Sequence, residues 1–192
     1  MSKRIAFLSA AAFATLALTA TIVAPVSAQD KMKSEMSGEK TVMVGGAAMF
    51  PSKNIIQNAV NSKDHTTLVA AVKAAGLVGT LEGKGPFTVF APTNAAFGKL
   101  PAGTVDTLVK PENKATLTKI LTYHVVPGKL EASDLTDGKK LKTVQGEELT
   151  VKRSGTTVMI IDSKGDSSTV TIPNVNQSNG VIHVVDTVLM PS

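Results

Sequence analysis

Val89-Phe90-Ala91-Pro92-Thr93-Asn94-Ala95-Ala96-Phe97, the nonapeptide VFAPTNAAF, changes character three times in nine positions. It begins inside an apolar run, 87–90, whose β-branched and aromatic residues suit a strand. Pro92 has no N–H to donate and so ends a ladder. Thr93 or Asn94 then offers a side-chain oxygen to cap a short helix. Ala95 and Ala96 are small enough to let that helix approach a sheet closely, and Phe97 drops into the core. A phosphate cradle needs glycines at the helix start, and this stretch has none. Each residue has a structural reason, so the stretch predicts a strand-to-helix corner.

Helical signals lie mainly on the N-terminal side of this corner. Residues 53–60 read as a helix capped from Pro51-Ser52, with Ile55, Ile56, Ala59 and Val60 on one face. A second helix opens over 64–67 and carries Leu68, Val72 and Ala75 at helical spacing. Gly76 then Leu77 is a stop signal, glycine taking the left-handed turn and leucine packing back on the last turn. A third helix starts near Pro111-Glu112 and turns Leu117, Ile120 and Leu121 inward.

The C-terminal half reads as strands. Residues 149–153 and 157–161 flank Ser154-Gly155-Thr156, a hairpin signature. Residues 168–175 and 181–189 follow, separated by the turn-rich Asn176-Gln177-Ser178-Asn179-Gly180. Between 181 and 185 only His183 interrupts the apolar residues, which marks a central strand buried on both faces. Helices first and sheet later, in one short domain without a convincing internal repeat, give an α+β fold.

The N-terminus is set apart from that domain. Lys3 and Arg4 precede an uncharged run over 5–24, then Pro25 and Val26-Ser27-Ala28. This reads as a secretory signal over 1–28, cleaved after Ala28, with a retained membrane anchor as the alternative. Residues 29–48 begin with QDKMKSEMSGEK, which balances acids against lysines with only two Met as apolar residues, and read as a flexible spacer. The folded domain spans 49–192.

Composition closes off several functions. The chain has no Cys, so an exported domain must rely on its core rather than on disulfides. Without Lys3 and Arg4, 18 basic residues face 15 acidic ones, and the whole chain has only two arginines. With no Trp and one Tyr there is no basic, aromatic surface on which bases stack, which argues against nucleic acid. His65, His124 and His183 are the only histidines and lie far apart, and no thiolate or HExxH pairing accompanies them. Asp162 and Asp166 lack the ligand alternation of a calcium loop, so neither metal nor cofactor is expected. There is no Gly-x-Ser-x-Gly elbow, and Glu147-Glu148 reads as a solvated turn rather than a glycosidase pair. The pattern argues against an enzyme.

One more stretch stands out: Ile120-Leu121-Thr122-Tyr123-His124-Val125-Val126-Pro127-Gly128. A helix ends and a strand starts there, with the sole Tyr beside a His. One reading buries the Tyr123 ring and lets His124 bond a nearby turn. The other makes the pair part of a partner-binding edge.

Taken together, these stretches resemble the fasciclin (FAS1) domain family over about 49–191. Its first box corresponds to Phe87-Thr88-Val89-Phe90-Ala91-Pro92-Thr93-Asn94-Ala95-Ala96-Phe97, its Tyr-His pair to Tyr123-His124, and its last box begins at Asn179-Gly180-Val181-Ile182-His183. The resemblance implies a FAS1-like β-sandwich or wedge with helices packed at one side. It also implies an exported adhesion or interaction module, periplasmic or extracellular, without catalysis. Partners would be cell-surface or matrix proteins or glycans, with no stable membrane insertion once the signal is cleaved. Binding residues would be Tyr123 and His124, and less centrally Thr93 and Asn94. The alternative is a periplasmic small-molecule or lipid carrier, with Leu68, Val72, Leu117, Ile120 and Leu121 lining a cavity rather than filling a core.

Overall fold

The computed structural model describes residues 40–192. The expected signal over 1–28 and the first part of the expected spacer lie outside the described residues. Strand β3, Phe87–Pro92, is the organising element. It runs parallel to β9, Gly180–Val185, with Phe90 opposite His183, and antiparallel to β4, Val125–Pro127, with Val89 opposite Val125. Residues alternate across a strand. Val89 and Ala91 therefore join one buried cluster while Phe90 joins another on the opposite face.

The remaining strands extend the sheet from β9. They are β8 (Ser167–Gln177), β7 (Thr157–Ile161), β6 (Glu148–Ser154) and β5 (Lys140–Lys142), in that order and all antiparallel. Seven strands with a right-handed twist curl back on themselves. The Val144 N–H, just past β5, donates to the Val125 carbonyl of β4 at 2.8 Å, so the two edge strands almost meet. The result is a wedge, close to a barrel, formed by one mixed sheet. Inside it lie Phe90, Tyr123, Val126, Leu149, Ile160 and Leu189, all buried.

The helices cover the other face, which gives the α+β arrangement. They are α1 (Ile55–Ala59), α2 (Thr66–Ala75), α3 (Val78–Glu82), α4 (Asn94–Gly98), α5 (Thr104–Leu108) and α6 (Lys114–Tyr123). Leu68, Val72 and Ala75 of α2 and Leu117, Ile120 and Leu121 of α6 point into the helix-side cluster, as their spacing predicts. Gly76 ends α2 in the left-handed region at φ 75°, and Leu77 N–H closes the turn onto Val72 O at 3.0 Å. Short 3₁₀ turns, Lys63–His65 and Pro111–Asn113, lead into α2 and α6.

Three local readings change. The cap of α1 is Asn54, not Pro51-Ser52: its side chain accepts from Gln57 N–H while Gln57 reaches back to the Asn54 N–H, a reciprocal capping box. Residues 42–48, read as spacer, form most of a hairpin of β1 (Val42–Val44) and β2 (Ala47–Met49). Val44 and Met49 are buried against the helix-side cluster, so this hairpin is part of the packed domain. Finally, β8 and β9 run through most of the expected turn, leaving only Ser178-Asn179 between them, because Gln177 pairs with Gly180.

Candidate functional site

The corner at Pro92 forms as its residue types dictate. Pro92 is the last paired residue of β3, and the Thr93 N–H donates to Val185 O at 3.3 Å. Thr93 Oγ1 then accepts from Ala96 N–H at 3.2 Å, so Thr93 is the cap of α4. Ala96 is fully enclosed and Phe97 is buried in the helix-side cluster. Asn94 is the first helical residue, and its side chain faces α2. Its Oδ1 accepts from Thr67 N–H at 3.0 Å, and its Nδ2 donates to Lys63 O at 2.8 Å and to Thr66 Oγ1 at 3.0 Å. Asn94 thus ties the start of α2 to the end of β3. Both residues are half-buried, and Asn94 lines an open groove with Thr67, Leu100, Pro101 and Val105.

Tyr123 and His124 are placed differently. The last turn of α6 carries Tyr123 into the wedge interior, where it is 0% exposed, and His124 beside it is 2% exposed. His124 Nδ1 donates to Ile120 O at 2.9 Å, and Nε2 accepts from Leu189 N–H at 3.0 Å. The second bond fixes the neutral tautomer, since Nε2 must be bare to accept. Burial pushes the His124 pKa down to about 4, against smaller opposing effects of the Ile120 carbonyl and of Asp162. The His124 carbonyl in turn accepts from Phe90 N–H at 2.9 Å, joining the end of α6 to β3. The Tyr123 hydroxyl accepts from Ser163 N–H at 2.9 Å, and burial raises its pKa.

Neither ring can be touched by a partner in the folded protein. The two candidate pairs meet through the framework, at β3 and β9, and no hydrogen bond among the described residues joins them directly. The Thr93-Asn94 corner reaches the surface; the Tyr123-His124 pair shapes it from within.

Several polar residues that the sequence offered as turn or solvent positions prove structural. Asp162 Oδ1 accepts from Lys164 and Asp166 N–H at 3.0 and 2.9 Å, while Oδ2 accepts from Met190 N–H at 3.0 Å. The C-terminal segment is thus pinned at two successive residues, Leu189 by His124 and Met190 by Asp162. Glu147 Oε2 adds a third tie to Ser192 N–H at 3.0 Å, and that bond holds the Glu147 carboxyl down at about 2. His183 Nε2 donates to Leu130 O at 2.8 Å and its ring stacks on Phe90 with centroids 5.7 Å apart. Asn179 spans three elements: Oδ1 accepts from Ile55 N–H at 3.1 Å, and Nδ2 donates to Leu81 O at 2.7 Å and Gly83 O at 2.9 Å. Among the described residues, no group of three or more His, Cys, Asp or Glu side chains is arranged to hold a metal ion. Likewise, no helix there is long and apolar enough to cross a membrane.

Residues 63–191, from the 3₁₀ turn before α2 to the pinned C-terminal segment, match the family model described as the fasciclin domain. The chain belongs to the fasciclin family. Among curated relatives it is 49% identical over 153 residues to Protein sll1483 of Synechocystis sp., covering 80% of this chain and 82% of that one. It is 39% identical over 153 residues to the cell surface glycolipoprotein MPB83 of Mycobacterium bovis, covering 77% of this chain and 64% of that protein. Among solved structures, this fasciclin domain is similar to a FAS1 domain pair from the insect cell adhesion molecule Fasciclin I. The TM-score is 0.66 at 18% identity, with 79% of this chain and 58% of that one covered. At that identity the likeness concerns the fold, and the chain spans somewhat over half of the paired structure.

Proposed function

We propose that this protein is an exported, non-enzymatic interaction module, acting by protein–protein or protein–glycan contact in the periplasm or outside the cell. The observation that carries this reading is the internal use of polar residues in and between the fasciclin boxes. His124 engages both ring nitrogens, Asp162 accepts three backbone N–H groups, and Asn179 makes three bonds between elements. Side chains committed in this way position a framework rather than serve as the acid or base of a turnover. Two names among the similar proteins agree, a cell surface glycolipoprotein and a cell adhesion molecule.

The contact surface we assign is the open groove beside Asn94. One wall is held by the bonds of that side chain to Lys63, Thr66 and Thr67, and the lining includes the exposed Ala102. The experiment uses the purified full chain on intact cells, extracellular matrix and a glycan array. Saturable binding is the expected result, weakened at least tenfold by Ala102→Glu with an unchanged melting temperature. Absence of saturable binding to every surface overturns the reading. Equal binding by both proteins moves the contact away from the groove.

A further inference from the structure

The helices cover only part of the sheet. Val89, Val175, Ile182 and Val184 turn toward them from β3, β8 and β9. On β5, β6 and β7 the inward residues Leu141, Leu149, Val151, Val158 and Ile160 fill the wedge. Alternation along each strand turns the residues between them outward. On that outer face no residue belongs to either buried cluster.

The register fixes what this face presents, since residues directly opposite across strands share a side. Lys152, Met159 and Thr169 form one row across β6, β7 and β8. The next row holds Lys140, Thr150, Ile161 and Ser167, and a third pairs Lys142 with Glu148. The three lysines therefore lie on a diagonal line with Cα steps of about 7–8 Å. Lys142 and Lys152 make no salt bridge or side-chain hydrogen bond among the described residues. Lys140 pairs with Glu148 at 3.5 Å, but the two side chains are 69% and 52% exposed, so a competing anion can replace that contact. Glu148 is the one acid in the three rows. The adjoining β7–β8 turn adds Lys164 and Asp166, whose charges cancel, and the Asp162 carboxylate is committed to three N–H groups. The hydroxyls of Thr150, Ser167 and Thr169 have no hydrogen-bond partner among the described residues. Met159 and Ile161, half-buried, sit among them.

We propose that this face binds an acidic polysaccharide, a linear chain with a carboxylate on each sugar, laid along the line of Lys142, Lys140 and Lys152. Separate ammonium groups along a line suit separate carboxylates along a chain. The free hydroxyls both donate and accept, as sugar hydroxyls do. Met159 and Ile161 give the C–H side of a sugar ring an apolar seat. Nucleic acid is a poorer match, because the three rows hold no aromatic ring on which a base could stack. They hold no arginine fork for phosphates either, and the neighbouring Arg153 side chain is tied to the Gly155 and Ala132 carbonyls. The face is separate from the groove beside Asn94, so it stands whether or not that groove binds a partner.

The probe is polygalacturonate, titrated into the full chain at low ionic strength and followed by NMR. Saturable shifts are expected at Lys140, Lys142, Thr150, Lys152, Met159 and Ile161, and they should vanish as salt is raised toward about 0.5 M. Combining Lys142→Gln with Lys152→Gln should weaken binding roughly tenfold at an unchanged melting temperature. Combining Lys84→Gln with Lys110→Gln removes the same charge from exposed positions elsewhere and should change it by less than about twofold. Equal weakening by the two pairs would show a response to net charge alone and overturns the site. Shifts centred outside the face, or no saturable binding, overturn it as well. A single-stranded DNA oligonucleotide that binds as tightly at equal charge concentration overturns the assignment to a polysaccharide.

Discussion

His124 Nε2 accepts the backbone N–H of Leu189 at 3.0 Å across 65 positions of chain. The bond joins the end of α6 to the segment after β9, and the same histidine holds Phe90 of β3 through its carbonyl. Tyr123, one residue before, reaches Ser163 in the turn between β7 and β8. Two adjacent residues thus connect a helix, a strand, a turn and the C-terminal segment. This explains how a Tyr-His pair can mark a fold without forming its outer surface.

Removing the His124 ring should therefore act on stability first. His124→Ala leaves the Leu189 N–H without a partner and opens a cavity in the wedge, together costing about 3 kcal/mol. The expected result is a lower urea midpoint with an unchanged slope, and faster hydrogen exchange at Leu189. A midpoint within error of wild type would show that the C-terminal segment is held by other ties. Any loss of binding by this variant has to be read against its melting curve.

Tyr123 separates hydrogen bonding from packing. Tyr123→Phe keeps the buried ring and removes the acceptor for Ser163 N–H together with a long donated bond to the Glu148 carbonyl, so a loss of about 1–2 kcal/mol is expected. Tyr123→Ala also empties the wedge and should cost about 3–5 kcal/mol. Thermal or urea unfolding of the two variants side by side checks the ordering. Similar losses would mean that the hydroxyl, rather than the ring, dominates.

Acid should destabilise the domain through its histidines. Burial lowers the pKa of His65, His124 and His183, that of His124 to about 4. The unfolded chain has histidine pKa values near 6.5, so between these values it binds more protons than the folded one. Stability is then fully present above about pH 6.5 and declines as pH falls toward 4. His124 alone accounts for a loss of about 3 kcal/mol over that window. Urea midpoints should be flat from about pH 8 to 7 and drop steadily below 6. A flat profile down to about pH 4.5 would show that the rings are not held neutral.

The sequence made the corner and the central strand legible because both rest on local chemistry. Proline ends a ladder, threonine caps a helix, and apolar residues on both faces imply burial; each holds within a few residues of VFAPTNAAF or of 181–185. The helix stop at Gly76-Leu77 was readable for the same reason. Ties between distant residues were not readable. Nothing local distinguishes Asn179 in a turn from Asn179 bonded to Ile55, Leu81 and Gly83, or Asp162 in a loop from Asp162 holding Met190. The β1–β2 hairpin was hidden because each strand has only three residues and its burial depends on α1 and α2 being in place.

Asn179 provides a test of those long-range ties. Asn179→Ala removes the acceptor for Ile55 N–H and both donors to the carbonyls that end α3, for a loss of about 2–4 kcal/mol. Asn179→Asp keeps the acceptor but turns a charged carboxylate toward the Leu81 and Gly83 carbonyls. It should therefore be at least as destabilising as Ala at neutral pH, although it is nearly the same shape. Hydrogen exchange should localise the damage: amides of α1 and α3 exchange faster while those of β6 and β7 stay protected. If Asp proved clearly milder than Ala, the bond to Ile55 would outweigh the two donated bonds. The Asn179 side chain would then serve mainly as a brace for α1.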